Sequence, residues 1–437
     1  MLGKINYNQR TLQFRELAQE SMKRAPLAGG PSIPLQEDDR PAIAGGAPVR
    51  RRDARLVFGA PVIGDAEIAS VVECLRSRWI GLGPRVEQLE REFARYKSAP
   101  YAAAVSSGTA AIHLALLALG IGEGDEVIVP AMTFCSTVHS VVHAGARPVL
   151  VDCNRSTFNI DPGLIEKQIT PRTKALLVVH MCGRCCDMDP ILETARRHKL
   201  RVIEDCAHAI ESGYNGQPAG LMGDAGCFSF YPTKNVATCD GGMVITRDPE
   251  RQQRVKVLSL HGMTADAWSR FVGGPSGYEV VAAGFKDNMT DLAAALALPQ
   301  LGMIEEHWKR REQIWQAYNQ RLSGLPLVLP PAPEPNTRHA YHLYTPLLLL
   351  EEIGVSREKI MAALAAENIG VGIHYVPIHQ QPYYRERFGF SDSDFPHATF
   401  VGERTISLPL SPAMSELDVD DVATALARIF RYYKAAA

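Results

Sequence analysis

Lys234 stands in the stretch GDAGCFSFYPTKNVATCDGGMVITR, Gly223 to Arg247, on a turn between an aromatic run and a second apolar run that opens with Gly241 and Gly242. A lysine held between two core strands, among glycines, is a candidate for a desolvated amine of lowered pKa. Such an amine can form a Schiff base with an aldehyde. Asp205 closes the apolar run LRVIED, and an open α/β sheet collects its ligands outside the carboxyl ends of its strands. Glu204 precedes it, but strand alternation turns the two carboxylates to opposite faces, so they are not expected to work as a pair. Ser106-Ser107-Gly108-Thr109 joins a strand-like run to a helical one. That junction offers unpaired backbone N–H groups and the positive end of a helix dipole to a phosphate; the plainer alternative is that Ser107 or Thr109 caps the helix. Lys286, Asp287 and Asn288 precede an alanine-rich helix for which Thr290 or Asp291 is the expected cap. A phosphate cradle, a strand-end acid and a Schiff-base lysine are together what pyridoxal phosphate requires, the acid keeping the pyridine nitrogen protonated so that the ring serves as an electron sink.

Positions 106 to 234 meet only if a regular scaffold brings them together. From Tyr101 onward, short apolar runs alternate with helical stretches. YAAAV, DEVIVP, GARPVLVD, KALLVVH and LRVIED read as strands; AAIHLALLAL, the stretch from Cys135, Pro162–Gln168 and Pro190–His198 read as helices. That alternation predicts βαβ units and a mostly parallel sheet, continued by CFSFY and GMVITR. A long helical stretch is expected from Asp291, then a smaller C-terminal α+β domain with strand-like HLYTPLLLL and IGVGIHYV and a closing helix over Asp418–Arg431. The expected division is an extended or mobile arm over 1–55, with a short helix at Thr11–Arg24, a large cofactor-binding domain over 56–305, and a small domain over 306–437. The arm is assigned by its Pro- and Gly-rich stretch APLAGGPSIPLQEDDRPAIAGGAPV.

The 437 residues are 46% hydrophobic and 22% charged with a formal net charge of -2, the composition of a soluble globular protein of two or three domains. The basic cluster Arg50-Arg51-Arg52 is short and the overall charge near balance, so neither a nucleic-acid face nor an anionic-lipid face is expected. No apolar run has the length of a membrane span, and the start has no signal-peptide core. Nine dispersed cysteines, an odd number, suit reduced thiols in a cytoplasmic enzyme. Cys182 and Cys185 show a C-x2-C spacing near His180, but no second pair completes the four ligands of a structural zinc, and no metal is expected. His139 and His143 lack the glutamate of an H-E-x-x-H site and read as packing residues. Cys239 reads as structural.

Several stretches resemble the DegT/DnrJ/EryC1/StrS family of sugar aminotransferases, fold-type-I pyridoxal-phosphate enzymes. They are SRWIGLGPRVEQLEREFARY, SSGTAAIHLALLALGIGEGDEVIVPAMTF, ITPRTKALLVVH, VIEDCAHAI and FSFYPTKN, and the likeness runs from about Ala42 to the end. SLHGMTADAW, GFKDNMTDLAAALALPQL and GIHYVPIHQQPYYRERF look closest to the subgroup that aminates C4 of a UDP-linked 4-keto pentose to 4-amino-4-deoxy-L-arabinose. The resemblance implies that Lys234 carries the cofactor and later moves a proton, that Asp205 faces the pyridine nitrogen, and that Gly108, Thr109 and Ser229 hold the phosphate. It implies that Phe134 stacks on the ring, that His208, where many relatives carry Gln, lies near the opposite side, and that Asn288 reaches the phosphate of the neighbouring subunit in an obligate homodimer. His374, Tyr375 and His379 fall in a loop near the sugar nucleotide. The implied reaction moves an amino group from L-glutamate to a keto sugar nucleotide. A cyclic polyol ketone such as an inosose is the alternative acceptor. A dehydratase would carry histidine in place of Lys234, and a cofactor-binding regulator would need a DNA-reading module that the first fifty-odd residues do not offer.

Overall fold

In the computed structural model the described residues are 40–266, 268, 270–271 and 277–436; the expected helix at Thr11–Arg24 lies outside them. Seven strands form the central sheet: β1 (Tyr101–Val105), β2 (Glu126–Pro130), β3 (Arg147–Val151), β4 (Thr173–Val179), β5 (Arg201–Asp205), β6 (Ala225–Ser229) and β7 (Gly242–Thr246). Their order is β1-β7-β6-β5-β4-β2-β3. β7 runs antiparallel to both its neighbours, and every other adjacent pair is parallel. β2 and β4 read as unbroken apolar runs because helices cover both faces. Alternate residues accordingly divide: Val127, Val129, Ala175 and Leu177 enter one core cluster, while Ile128, Leu176 and Val178 enter the other.

The first helices after the strands start close to where chemistry is expected. Helix α1 (Gly108–Ala118) follows β1 and buries Ala111, Leu114 and Ala115 against the sheet; α2 (Cys135–His143) follows β2. Ser107 caps α1, its side chain accepting from the Ala110 N–H at 3.0 Å. The helical stretch from Asp291 is two helices, α3 (Asp291–Gly302) and α4 (Ile304–Arg321), separated at Met303. Thr290 caps α3 by accepting from the Ala293 N–H.

The C-terminal part is built by helices rather than by the strands expected there. Trp315, Tyr318, Tyr344, Leu364, Val422 and Leu426 form its own core. Of HLYTPLLLL only Leu347–Leu348 is a strand, paired with Leu327–Val328. IGVGIHYV makes single bridges, Ile369 with Leu56 and Gly372 with Ser407. Both runs spend their apolar side chains on packing while their backbones find only one two-residue pairing and single bridges. Residues Leu343, Ile378, Phe395 and Val401 of this part pack into the large-domain core.

Residues 40–55, expected to belong to an extended or mobile arm, are tied down. The Ala42 and Val49 N–H groups donate to the Glu367 carboxylate at 2.7 Å each. Arg50 pairs with Asp418 and Asp421 at 2.7 Å, and Asn368 donates to the Arg50 carbonyl at 2.7 Å. Backbone donors answered by buried carboxylate hold this stretch where composition alone gives no core to hold it.

Candidate active site

Six connections reach the same rim of the sheet. Gly108, Phe134, Cys182, Asp205 and Lys234 each follow the carboxyl end of a strand, and antiparallel β7 returns Gly242 to that rim. The loop carrying Lys234 is closed on itself: the Lys234 N–H donates to the Tyr231 carbonyl at 2.8 Å and the Thr238 N–H to the Phe230 carbonyl at 2.7 Å. Lys234 lines the cleft with protein packed around its amine. Burial pushes the amine down to about 8, against the opposing pull of Asp205 and Cys182.

Asp205 is buried and works through a directed pair of hydroxyls. Its Oδ2 accepts from Thr137 Oγ1 at 2.9 Å and its Oδ1 from the Ala207 N–H at 3.1 Å. Thr137 has one proton and gives it to Asp205, so it accepts from Thr133 at 2.8 Å. Burial raises the Asp205 pKa, while the Ala207 N–H, Thr137 and Lys234 favour the carboxylate. Glu204 faces away, as alternation requires. It accepts from His180 at 2.9 Å and from the N–H groups of Gly220, Met222 and Gly223 at 2.8, 2.8 and 2.7 Å. Burial works against its charge, yet these bonds bring its pKa below the ordinary value.

The start of α1 is shaped as a cradle. A Cβ on Gly108 would come within 2.7 Å of Ser229 Cβ, and one on Gly242 within 2.4 Å of the Ser107 carbonyl oxygen. Only glycines let the helix start, β6 and β7 approach so closely. Ser107 caps the helix by answering Ala110, and the Gly108 and Thr109 N–H groups have no acceptor among the described residues. The cap and the anion site therefore coexist: one residue answers an inner donor and leaves the outer two free.

The opposite wall comes from the C-terminal part. Tyr375 lies with its ring 5.4 Å from that of half-exposed Phe134 and its hydroxyl 3.0 Å from His208 Nε2. His208 is buried, and burial together with Lys234 and His374 keeps its pKa far below the ordinary value. His374 Nδ1 lies 2.7 Å from Ser407 Oγ; burial, with Lys234 adding, pushes its pKa down to about 3. His379 does not join them. It is buried with Nε2 at 2.9 Å from Thr399 Oγ1 and its ring against Phe395. Asn288 is bridged by its backbone to Val105, while its side chain accepts from Lys286 at 2.7 Å and donates to the Met289 carbonyl at 3.0 Å.

Three residues of the site carried no signal in the sequence. His342 lies 4.5 Å from His208, ring centre to ring centre, and shares a 2.9 Å hydrogen bond with Asn235 Oδ1. Asn235, next to Lys234, donates to both oxygens of buried Glu211 at 2.9 Å. Thr137 anchors Asp205. The family resemblance pointed to His208, but nothing local pairs 235 with 211 or 342. The cysteines of the C-x2-C spacing also resolve: Cys182 Sγ contacts Thr345 Oγ1 at 3.5 Å, and Cys185 is buried in the apolar core; the neighbouring Cys186 N–H donates to His180 Nδ1 at 3.1 Å. Among the described residues His180, Glu204 and Cys206 are one grouping whose ligand atoms lie within 4.8 Å, but both His180 nitrogens and both Glu204 oxygens are already bonded to protein.

A desolvated amine, a buried acid and two free helix-start N–H groups fit an aldehyde-bearing, phosphorylated pyridine. The comparisons agree with this fit. The sequence model of the DegT/DnrJ/EryC1/StrS aminotransferase family matches residues 61–427. The chain is 46% identical over 385 residues to the spore coat polysaccharide biosynthesis protein SpsC of Bacillus subtilis, covering 88% of this chain and 99% of that one. The putative sugar aminotransferase Spr1654 of Streptococcus pneumoniae, solved in a pyridoxal-phosphate form, aligns at a TM-score of 0.80 and 32% identity over 87% of this chain and 99% of its own. DesI, solved in the presence of its TDP-sugar product, aligns at a TM-score of 0.79 and 30% identity over 90% of this chain and 97% of its own. The chain belongs to the DegT/DnrJ/EryC1/StrS aminotransferase family and is a pyridoxal-phosphate-dependent aminotransferase.

Proposed function

We propose that the protein transfers an amino group from L-glutamate to a keto sugar nucleotide, at C4 of a UDP- or dTDP-linked 4-keto sugar. The observation that carries the chemistry is the desolvated Lys234 amine, lowered to about 8 against the opposing pull of Asp205, whose carboxylate accepts from Thr137 and the Ala207 N–H. The sugar nucleotide rests on the likeness to DesI, solved in the presence of its TDP-sugar product, and to a polysaccharide biosynthesis protein.

Pyridoxal phosphate supplies an aldehyde that condenses with amines and a cationic ring that takes up the electron pair of the neighbouring carbon. The residues of this chain do the rest. Gly108 and Thr109 offer their N–H groups to the phosphate, with Ser229 beside them. Asp205 presents a carboxylate to the ring nitrogen, and Phe134 offers a flat apolar surface at the mouth. Lys234, neutral in a useful fraction near pH 8, takes a proton from the substrate carbon or returns one to it. Arginine in its place would stay protonated.

The reading includes a homodimer, with Asn288 directed at the partner's phosphate. Its support is a set of large apolar side chains left exposed, Ile80, Phe271, Tyr278, Val280 and Val281. Domains over 56–305 and 306–437 and a cytoplasmic location belong to the same reading. Nine free cysteines support the location, and no helix among the described residues is long and apolar enough to cross a membrane.

The test incubates purified protein and glutamate with a panel of 3- and 4-keto sugar nucleotides and an inosose, following 2-oxoglutarate release. Turnover of a 4-keto sugar nucleotide is the expected result. Silence across that panel with the inosose consumed would move the acceptor to the cyclic polyols.

A further inference from the structure

Any member of a hydrogen-bond chain that has a single role fixes the direction of the whole. The Cys182 backbone N–H has only a proton to give, and it gives it to His208 Nδ1 at 3.2 Å. That nitrogen must present its lone pair, so the neutral ring carries its proton on Nε2. Nε2 lies 3.0 Å from the Tyr375 hydroxyl, which must accept. Burial holds Tyr375 as the protonated phenol and His208 as the neutral imidazole. The phenol still has its own proton, and no protein acceptor for it occurs among the described residues.

Several neighbouring donors are already spent. Thr133 gives its proton to Thr137, and Thr137 gives its own to Asp205. The Asn235 amide nitrogen points at both Glu211 oxygens and at the Ala340 carbonyl, 3.2 Å away. Its oxygen therefore faces His342, whose Nδ1–H is used at 2.9 Å. Tyr375 is left as a hydroxyl that cannot turn its proton back into the protein.

We propose that Tyr375 donates a hydrogen bond to the carbonyl oxygen of the keto substrate, and that His208 is the positioning residue that keeps it pointing that way. The inference rests on the reading that a ketone is the amino acceptor. A ketone oxygen has lone pairs and no proton, the complement of this hydroxyl. The ammonium group of the product has three protons and no lone pair, and is the mismatched partner for it. The chain therefore favours the substrate over the product at one point of contact. Residue 208 is then constrained by polarity rather than by ring shape. A glutamine keeps the direction, its amide oxygen meeting the Cys182 N–H and its amide nitrogen facing Tyr375. A glutamate offers acceptors alone and draws the tyrosine proton inward.

The test loads the wild type and the variants Tyr375→Phe, His208→Gln and His208→Glu with pyridoxamine phosphate and follows single-turnover consumption of 2-oxoglutarate by absorbance. Tyr375→Phe and His208→Glu are expected to slow the ketone at least tenfold, with His208→Gln at least fivefold faster than His208→Glu. Tyr375→Phe within threefold of wild type, or the two His208 variants equally slow, would overturn the proposal. A second readout needs no turnover: long-range proton–nitrogen spectra of histidine-labelled holoenzyme, with His208 assigned by its loss in His208→Gln. The Nε2–H tautomer is expected, and an Nδ1–H tautomer overturns the direction whatever the kinetics. Neither readout uses a sugar, so failure of the keto-sugar panel is distinguishable from failure here.

Discussion

The two walls of the cleft are built on different principles. One wall is made of strand ends: Gly108 after β1, Asp205 on β5, Lys234 between β6 and β7. Each residue is placed at or after the end of a strand held by a ladder of backbone bonds in the seven-stranded sheet. The other wall, His374 and Tyr375, sits on a segment whose backbone makes only isolated bridges, and it is held by side-chain bonds to Ser407 and His208. On the function proposed above, the first wall provides chemistry that every substrate needs, and the second meets whatever differs between substrates. Rigid elements suit the former and loops the latter.

If that contrast holds, damage to the strand-end wall should cost the most. Lys234→Ala is expected to cut turnover by about 10⁴-fold and to abolish the visible absorbance of the lysine-bound cofactor. Comparable transamination by that variant would end the assignment. Asp205→Asn is expected to lower kcat by about 10²–10³-fold with the fold intact, read in steady state beside a far-UV spectrum. The lysine also sets a pH dependence. Its neutral form is the nucleophile, so with a pKa of about 8 the rate at which apoprotein captures pyridoxal phosphate should rise about tenfold per pH unit below that value and level off above it. A flat profile from pH 6 to 9 would contradict a lone titrating amine. Gly108→Ala forces a Cβ against Ser229 and is expected to weaken the cofactor about tenfold, measured by equilibrium dialysis. The smallest functional effect falls outside both walls. His379→Ala should leave kcat/KM within about threefold while costing about 2 kcal/mol of stability, seen as a lowered Tm. A large loss of kcat/KM there would enlarge the loop wall.

The same contrast explains what could be read before the structure. β2, β4 and β5 announce themselves as apolar runs, and a strand end followed by a small-residue turn is a local pattern, so Lys234, Asp205 and Gly108 are legible. His374 and Tyr375 are legible only through a motif, because their backbone has no periodic signal. His379 shares that motif and points elsewhere, into Thr399 and Phe395. The link from Glu211 through Asn235 to His342 joins positions more than a hundred residues apart, and no spacing rule reaches that far. Nor does one show that Glu367 holds residues 42 and 49. HLYTPLLLL and IGVGIHYV misled because hydrophobicity marks burial and does not say whether the backbone finds a ladder.

The antiparallel course of β7 has a mechanical consequence. A parallel neighbour of β6 would need a helical crossover, hanging the lysine on a long excursion across the sheet face. Instead Ser229 pairs with Gly242 and the Phe230 N–H donates to the Gly241 carbonyl at 2.8 Å, so both feet of the lysine loop stand side by side on the same floor. The amine can swing on its own four carbons through a catalytic cycle while its tether stays still, and each release of the cofactor returns it to where it began.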